Sequence, residues 1–178
     1  MAIITLKNWY QLDFAIQEHP LKDLLNVALV MDSLRREKLI YKWFFLFEIN
    51  QKKKMPTIRI RMSSNNKDGL QTSLIKFAKD SNLQMDDGVP FSDYQESEES
   101  LVNSDVVETF ANVMSEVTSL LIKKLRKETN FENYRVIERL QHCIFNAFIP
   151  LQFKPEEYFL QQRILERIGK PFDKKFDF

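Results

Sequence analysis

The stretch YKWFFLFEINQKKKMPTIRIRM, residues 41–62, predicts a hairpin of two antiparallel strands. Its first part (41–49) is a run of aromatic and aliphatic residues, which is typical of a strand buried on both faces. A polar turn, NQKKK (50–54), follows, and the returning strand (57–62) alternates between apolar and other residues. The hairpin predicts a sheet and raises the question of what the two arginines of its second strand contact.

Apolar residues spaced three and four apart predict helices on either side of this hairpin. In chain order we expect a strand at 9–16, a helix at 20–38, the hairpin, a helix at 68–78, a weak strand within 81–94, and helices at 103–126, 132–148 and 155–169. This order is typical of an α+β fold, a small and mostly antiparallel sheet packed with helices, three of them in the C-terminal half. Residues 1–178 would form a single domain with a mobile acidic loop at 92–104.

Composition and charge exclude several classes of protein. The chain has 178 residues, 44% of them hydrophobic, and a formal net charge of +1. A net charge this small lacks the excess of basic residues that is typical of nucleic-acid-binding proteins, so we expect no specific nucleic-acid partner. The single cysteine excludes an intrachain disulfide, and no apolar run reaches the ~20 residues of a membrane span. Because the N-terminus lacks the pattern of a secretory signal, we expect a cytoplasmic protein.

The common enzyme signatures are absent. Only three glycines occur, none of them in a glycine-rich loop, so neither a dinucleotide fingerprint nor a P-loop is present. The two histidines, His19 and His142, are far apart and form no zinc-hydrolase motif. We therefore expect neither a cofactor nor a metal.

Arg59 and Arg61 occupy alternate positions of the returning strand. They would project from one face, with Ile58, Ile60 and Met62 on the other. Alternate polar residues usually mark the solvent-facing side of an antiparallel strand. The alternative is a clamp, because paired guanidinium groups can bind a carboxylate or phosphate. The alternation alone favours the solvent-facing interpretation.

A second set of polar residues lies on the predicted helix at 132–148. Arg135, Arg139, His142 and Asn146 follow one another at steps of four, three and four, which places them on one stripe. The opposite side would be apolar, with Ile137, Leu140 and Ile144. We expect Cys143, on the flank of that side, to be a small core residue. The stripe would be either a solvated surface or, if it faces a cleft, a site where His142 moves a proton.

Three motifs taken in order resemble one protein family. They are WFFL (43–46), PTIRIR (56–61) and RLQHCIFN (139–146), with a long predicted helix between the second and the third. In these motifs the chain resembles the C-terminal elimination domain of class I lantibiotic dehydratases and its stand-alone relatives, the thiopeptide-type bacteriocin biosynthesis proteins. The resemblance covers residues 8–168.

The resemblance implies action on a precursor peptide, with a dehydratase-like partner enzyme. Family elimination domains remove glutamate from glutamylated Ser or Thr, and stand-alone relatives join two dehydroalanines into a pyridine ring. The catalytic residues would then be His142 for proton transfer, with Arg59 and Arg61 for binding the carboxylate. The substrate-binding residues would be Arg135, Arg139 and Asn146.

Three features depart from the family pattern. Phe47 stands where the family has an arginine in the aromatic strand, and Thr57 stands where it has a histidine. The arginine that the family has further downstream is missing from DYQESEESLV (93–102). Fewer basic groups imply a weaker anion site. The activity is therefore left open between a lyase-type or cyclase enzyme and a non-catalytic relative, an accessory or immunity-type subunit that binds a peptide or protein. The chain could also form a homodimer.

Overall fold

The computed structural model describes residues 3–50, 55–86, 90–97, 101, 103–127, 137, 139–141, 143–144 and 147. The named elements of this part are β1 (Ile3–Ala15), α1 (Pro20–Arg36), β2 (Trp43–Asn50), β3 (Met55–Ser63), α2 (Lys67–Asp80), β4 (Ser92–Ser97) and α3 (Ser104–Leu125). The hairpin predicted from residues 41–62 is present as the antiparallel pair β2 and β3, aligned from Trp43 opposite Met62 to Asn50 opposite Met55.

The four strands form one antiparallel sheet in the order β2-β3-β1-β4. One helix connects β1 to β2 and another connects β3 to β4, which is the split βαβ arrangement of ferredoxin-like domains. The predicted α+β class is confirmed. In the C-terminal half α3 is present as predicted, whereas the helix predicted at 155–169 lies outside the described residues.

Helices α1 and α2 cover one side of the sheet, the first face. Its core is continuous and apolar, and fully buried side chains come from three strands and both helices. Representative members are Leu12, Phe14, Phe45, Ile58, Ile60, Leu24, Met31 and Leu74.

The start of α1 is set by local hydrogen bonding. Pro20 stands in the first turn, where an N–H would have no helical partner. The Leu21 N–H donates to His19 Nδ1 at 3.2 Å. The Gln17 N–H donates to Asp23 Oδ2 at 2.8 Å, which holds the incoming chain against the first turn.

Helix α3 covers part of the opposite side, the second face. A bulge at Asn8 (φ 61°) shifts the alternation of β1, so that Leu6 and Trp9 pack in the same cluster. They join Phe44 of β2 and Phe110 of α3, whose rings meet edge to face at 5.7 Å. Unlike the apolar core of the first face, the second face also encloses charged side chains of β1, β3 and β4.

Two strands of the described sheet, the central strand β1 and the edge strand β4, differ from the prediction. β1 begins at Ile3 rather than at residue 9, because the bulge at Asn8 interrupts the alternation that identifies a strand. The loop predicted at 92–104 was wrong for residues 92–97, which form β4, and the weak strand predicted within 81–94 covers only the first three residues of β4. Tyr94 is the only apolar side chain of this edge strand, so β4 carries no hydrophobic pattern that sequence reasoning could detect.

The described residues between 137 and 147 are helical, as predicted for 132–148. The buried side differs from the predicted one. Ile137 and Gln141 are buried, whereas Leu140 is 43% exposed. Cys143 is exposed, so the prediction that it is a core residue was wrong.

Gln141 explains the orientation of this helix. Its Nε2 donates to the Phe45 carbonyl oxygen at 2.7 Å, and its Oε1 accepts the Phe47 N–H at 3.4 Å. Both backbone groups belong to the edge strand β2 and point away from β3. The side-chain amide of Gln141 thus takes the place that a further strand would occupy and closes this edge of the sheet.

Replacing Gln141 with leucine keeps the bulk of the side chain and removes both hydrogen bonds. We expect the free energy of unfolding in urea to fall by about 1–3 kcal/mol, because the Phe45 carbonyl becomes a buried acceptor without a partner. The Phe47 amide should also exchange faster with solvent. Gln17→Leu, at an exposed position, is the matched control. An equal effect of both substitutions would contradict the role of Gln141 in closing the edge of β2.

Candidate functional site

Asp13 and Arg59 face each other on the two central strands, β1 and β3. Arg59 Nε donates to Asp13 Oδ1 at 2.9 Å, and Arg59 NH2 donates to Asp13 Oδ2 at 3.1 Å. The Thr57 hydroxyl reaches Asp13 Oδ2 at 3.5 Å. The Asp13 side chain is 1% exposed and that of Arg59 is 22% exposed. This bidentate arrangement is the strongest form of side-chain ion pair, and it places the guanidinium charge against a chain carboxylate.

The charge of Arg59 is stabilised by more than one acidic residue. Burial works against that charge, but the hydrogen bond and the attraction of Asp13 outweigh it and raise the pKa of Arg59 above its ordinary value. Glu48 contributes from β2, with 3.7 Å between its Oε1 and Arg59 NH1. Arg59 is therefore a permanent cation that already has two carboxylate neighbours.

Arg61 lies deeper in the second face. Its NH1 is 2.7 Å from Glu96 Oε1 and donates to the Tyr94 hydroxyl oxygen at 3.1 Å, and the Tyr94 hydroxyl in turn donates to Glu96 at 3.2 Å. The guanidinium carbon lies 4.2 Å from the centre of the Tyr94 ring and 5.7 Å from that of Phe44. Burial raises the pKa of the Tyr94 phenol although Arg61 opposes that shift, so Tyr94 stays a neutral hydrogen-bond donor.

Together these residues form the arginine cluster: Arg59, Arg61, Asp13, Glu48, Tyr94 and Glu96. Its two cations are matched by three carboxylates, so the cluster has no excess positive charge to attract an anion. Arg61 is 5% exposed and cannot reach a ligand without displacing its neighbours. Within the described residues, the buried atoms Arg61 Nε and Gln11 Oε1 have no hydrogen-bond partner. An incoming carboxylate would have to compete with acids already in place.

The structure describes three of the six predicted site residues, Arg59, Arg61 and Arg139. Arg59 and Arg61 share the second face, but each is held by its own carboxylate rather than by solvent. Arg139 is exposed on its helix. The other three predicted residues, Arg135, His142 and Asn146, lie outside the described residues, so their catalytic and substrate-binding roles stay predictions.

Sequence reasoning missed the acidic partners of the arginines. Asp13 could have been found, because a carboxylate inside the apolar strand WYQLDFA needs a buried partner. Glu96 gave no such signal, since its strand was taken for a loop. As for metals, the described part of the chain contains no group of three or more His, Cys, Asp or Glu residues placed to hold an ion.

No protein-family model and no curated protein matches the chain. Among solved structures, the chain is similar to the crystal structure of TsrL, with a TM-score of 0.50 and 18% sequence identity. The match covers 72% of this chain and 37% of TsrL. At this identity the similarity shows a shared fold, and membership of the elimination-domain family stays a prediction. Among the described residues, no helix has both the length and the apolar character needed to cross a membrane.

Replacing Arg59 with glutamine tests whether this arginine serves the fold. We expect the free energy of unfolding to fall by about 2–4 kcal/mol, because the substitution leaves Asp13 buried without its counter-charge. Adding Asp13→Asn to the same chain should recover part of that loss, which a double-mutant cycle in urea measures directly.

The matched control for this cycle is Arg139→Gln, which removes the same charge from an exposed position. It should change the free energy of unfolding by less than about 0.5 kcal/mol. If Arg59→Gln were as mild as this control, Arg59 would not be a structural residue.

Proposed function

We propose that this protein holds a precursor peptide during the biosynthesis of a ribosomally synthesised and modified peptide, without itself eliminating glutamate from that peptide. The biosynthetic setting is supported by the motifs at 43–46, 56–61 and 139–146, which resemble those of elimination domains and their stand-alone relatives. The chain also shares its fold with TsrL.

The proposal that the protein does not eliminate glutamate rests on one observation: both arginines are paired with carboxylates of the chain. Elimination of glutamate needs cationic groups that are free to bind a glutamyl carboxylate and to stabilise the enolate. Arg61 is buried against Tyr94 and Glu96, and Arg59 is bound bidentately by Asp13. At Phe47 and Thr57 the chain lacks two further basic residues of the family pattern. The site is therefore better suited to hold the sheet together than to catalyse elimination.

In a catalytic form of the proposal, Arg59 is the described residue that contacts the leaving group. Its side chain is 22% exposed, and its NH1 is held only loosely by Glu48, at 3.7 Å. In that form Arg59 binds the leaving carboxylate and His142 transfers the proton, while Arg135, Arg139 and Asn146 position the peptide. A dehydratase-like enzyme is the partner that we propose for either form, in the cytoplasm.

The test uses the full chain and the precursor peptide encoded beside its gene, unmodified and glutamylated at its Ser or Thr residues. Fluorescence anisotropy measures binding, and mass spectrometry measures any change in the peptide. We expect saturable binding of the peptide and no loss of glutamate. Loss of glutamate that His142→Ala abolishes would replace the holding role with an elimination activity. Absence of binding, or of any precursor gene, would contradict the proposal as a whole.

A further inference from the structure

The two outer strands of the sheet, β2 and β4, differ in what contacts their outer edges. The outer edge of β2 is closed at Phe45 and Phe47 by the side chain of Gln141. At the other end β4 pairs with β1, and within the described part of the chain no segment pairs with its outer side. An edge of this kind presents backbone N–H and C=O groups in a row, which is a template for a further strand.

Two described segments lie beside β1 on the side of β4. In the first, Met85 pairs with Phe14 and the Asp86 N–H donates to the Asp13 carbonyl at 2.7 Å; in the second, Ser92 lies opposite Gln11. Near these residues, under α2, is a cavity of about 330 Å³. Its apolar walls come from Leu12, Leu74, Ile75, Met85, Pro90 and Phe91. Ile75 and Met85 are 48% and 37% exposed, so apolar surface extends to the mouth of the cavity.

We infer that an extended peptide adds to the outer edge of β4 and inserts one bulky apolar side chain into this cavity. The inference rests on the proposed function, because the natural occupant would be the precursor peptide. Side chains of an added strand alternate between the faces of the sheet, and those on the first face lie beside α2. Asp93 of β4 shows this geometry, since it lies opposite Tyr10 of the first-face core and pairs with Lys67 of α2 at 2.7 Å. Backbone pairing would supply affinity and the cavity would supply selectivity.

Charge defines the peptide further and argues against a second copy of the chain as the occupant. Residues 86–105 contain seven acidic residues and no lysine or arginine. Two β4 strands placed edge to edge would bring like charges together, and their first-face side chains, Asp93 and Gln95, would not fill an apolar cavity. A peptide with a bulky apolar residue flanked by lysine or arginine complements both the cavity and the acidic composition of residues 86–105. Two of these acidic residues, Asp93 and Glu96, are already paired with Lys67 and Arg61.

The experiment uses fluorescein-labelled peptides of alternating threonine and lysine whose central residue is leucine, phenylalanine or serine. We expect the full chain to bind the leucine and phenylalanine peptides roughly tenfold more tightly than the serine peptide, as burial of one such side chain implies. N-methylation of alternate backbone amides, or exchange of the lysines for glutamates, should weaken binding. Hydrogen exchange should slow within residues 92–97 when the leucine peptide is present.

Ile75→Glu, at the mouth of the cavity, should remove the preference for leucine, whereas Val113→Glu, an exposed position on α3, should leave it unchanged. Equal binding of all central residues, or no effect of N-methylation, would overturn the inference. So would a dimer that forms through β4 and that the leucine peptide does not dissociate. These peptides do not depend on any natural precursor, so failure here is distinguishable from failure of the proposed function.

Discussion

The bidentate pair of Asp13 and Arg59 joins the two central strands of the sheet and constrains the residues around it. A carboxylate that is almost fully buried is tolerated only when its charge is matched and its oxygens accept hydrogen bonds. A slip of β3 by one residue would turn Arg59 into the apolar first face and place an isoleucine opposite Asp13. The pair therefore specifies the register of β3 against β1, and through β3 the register of the whole hairpin.

The arginine cluster gives the second face of the sheet a structural role. Arg61 is packed between aromatic rings and bound to Glu96, so it links β3 to β4 across β1. A site that binds and releases anions needs cations that are positioned for the anion and not already paired with a carboxylate of the protein. Here the cations are paired with carboxylates of the chain and stabilise the sheet, and the places that we propose for a partner are the edge at β4 and the cavity under α2.

Much of this fold can be predicted from the residues, because strong patterns mark its central elements. The aromatic run from Trp43 and the alternation around Arg59 predict the hairpin, and Pro20 marks the start of α1. The edge strand β4 was predicted only in part, as a weak strand within 81–94, since a strand with one buried side chain has no apolar alternation that would mark its full length.

The two arginines of the candidate site could be predicted from the sequence, but the pairing of each with its acidic partner could not. A pattern of alternating arginines shows which side chains share a face, but their partners depend on strand order, which local sequence does not encode. Asp13 and Glu96 are far from the arginines along the chain and meet them only in the folded sheet. The same limit applies to Gln141, which looks like a surface residue until the edge of β2 is placed beside it.

The most direct test of this account is an NMR titration of the arginine side chains. Spectra of the ¹⁵N-labelled full chain would follow the Nε–H resonances of Arg59 and Arg61 while O-glutamyl-N-acetylserine amide is added, as a mimic of the glutamylated residue. The account predicts that both resonances are sharp, slow to exchange and unmoved by the mimic, because Asp13 accepts the Nε–H of Arg59 and burial shields the Nε–H of Arg61 from solvent and from the mimic. A saturable shift of either resonance would show an open anion site and contradict the account.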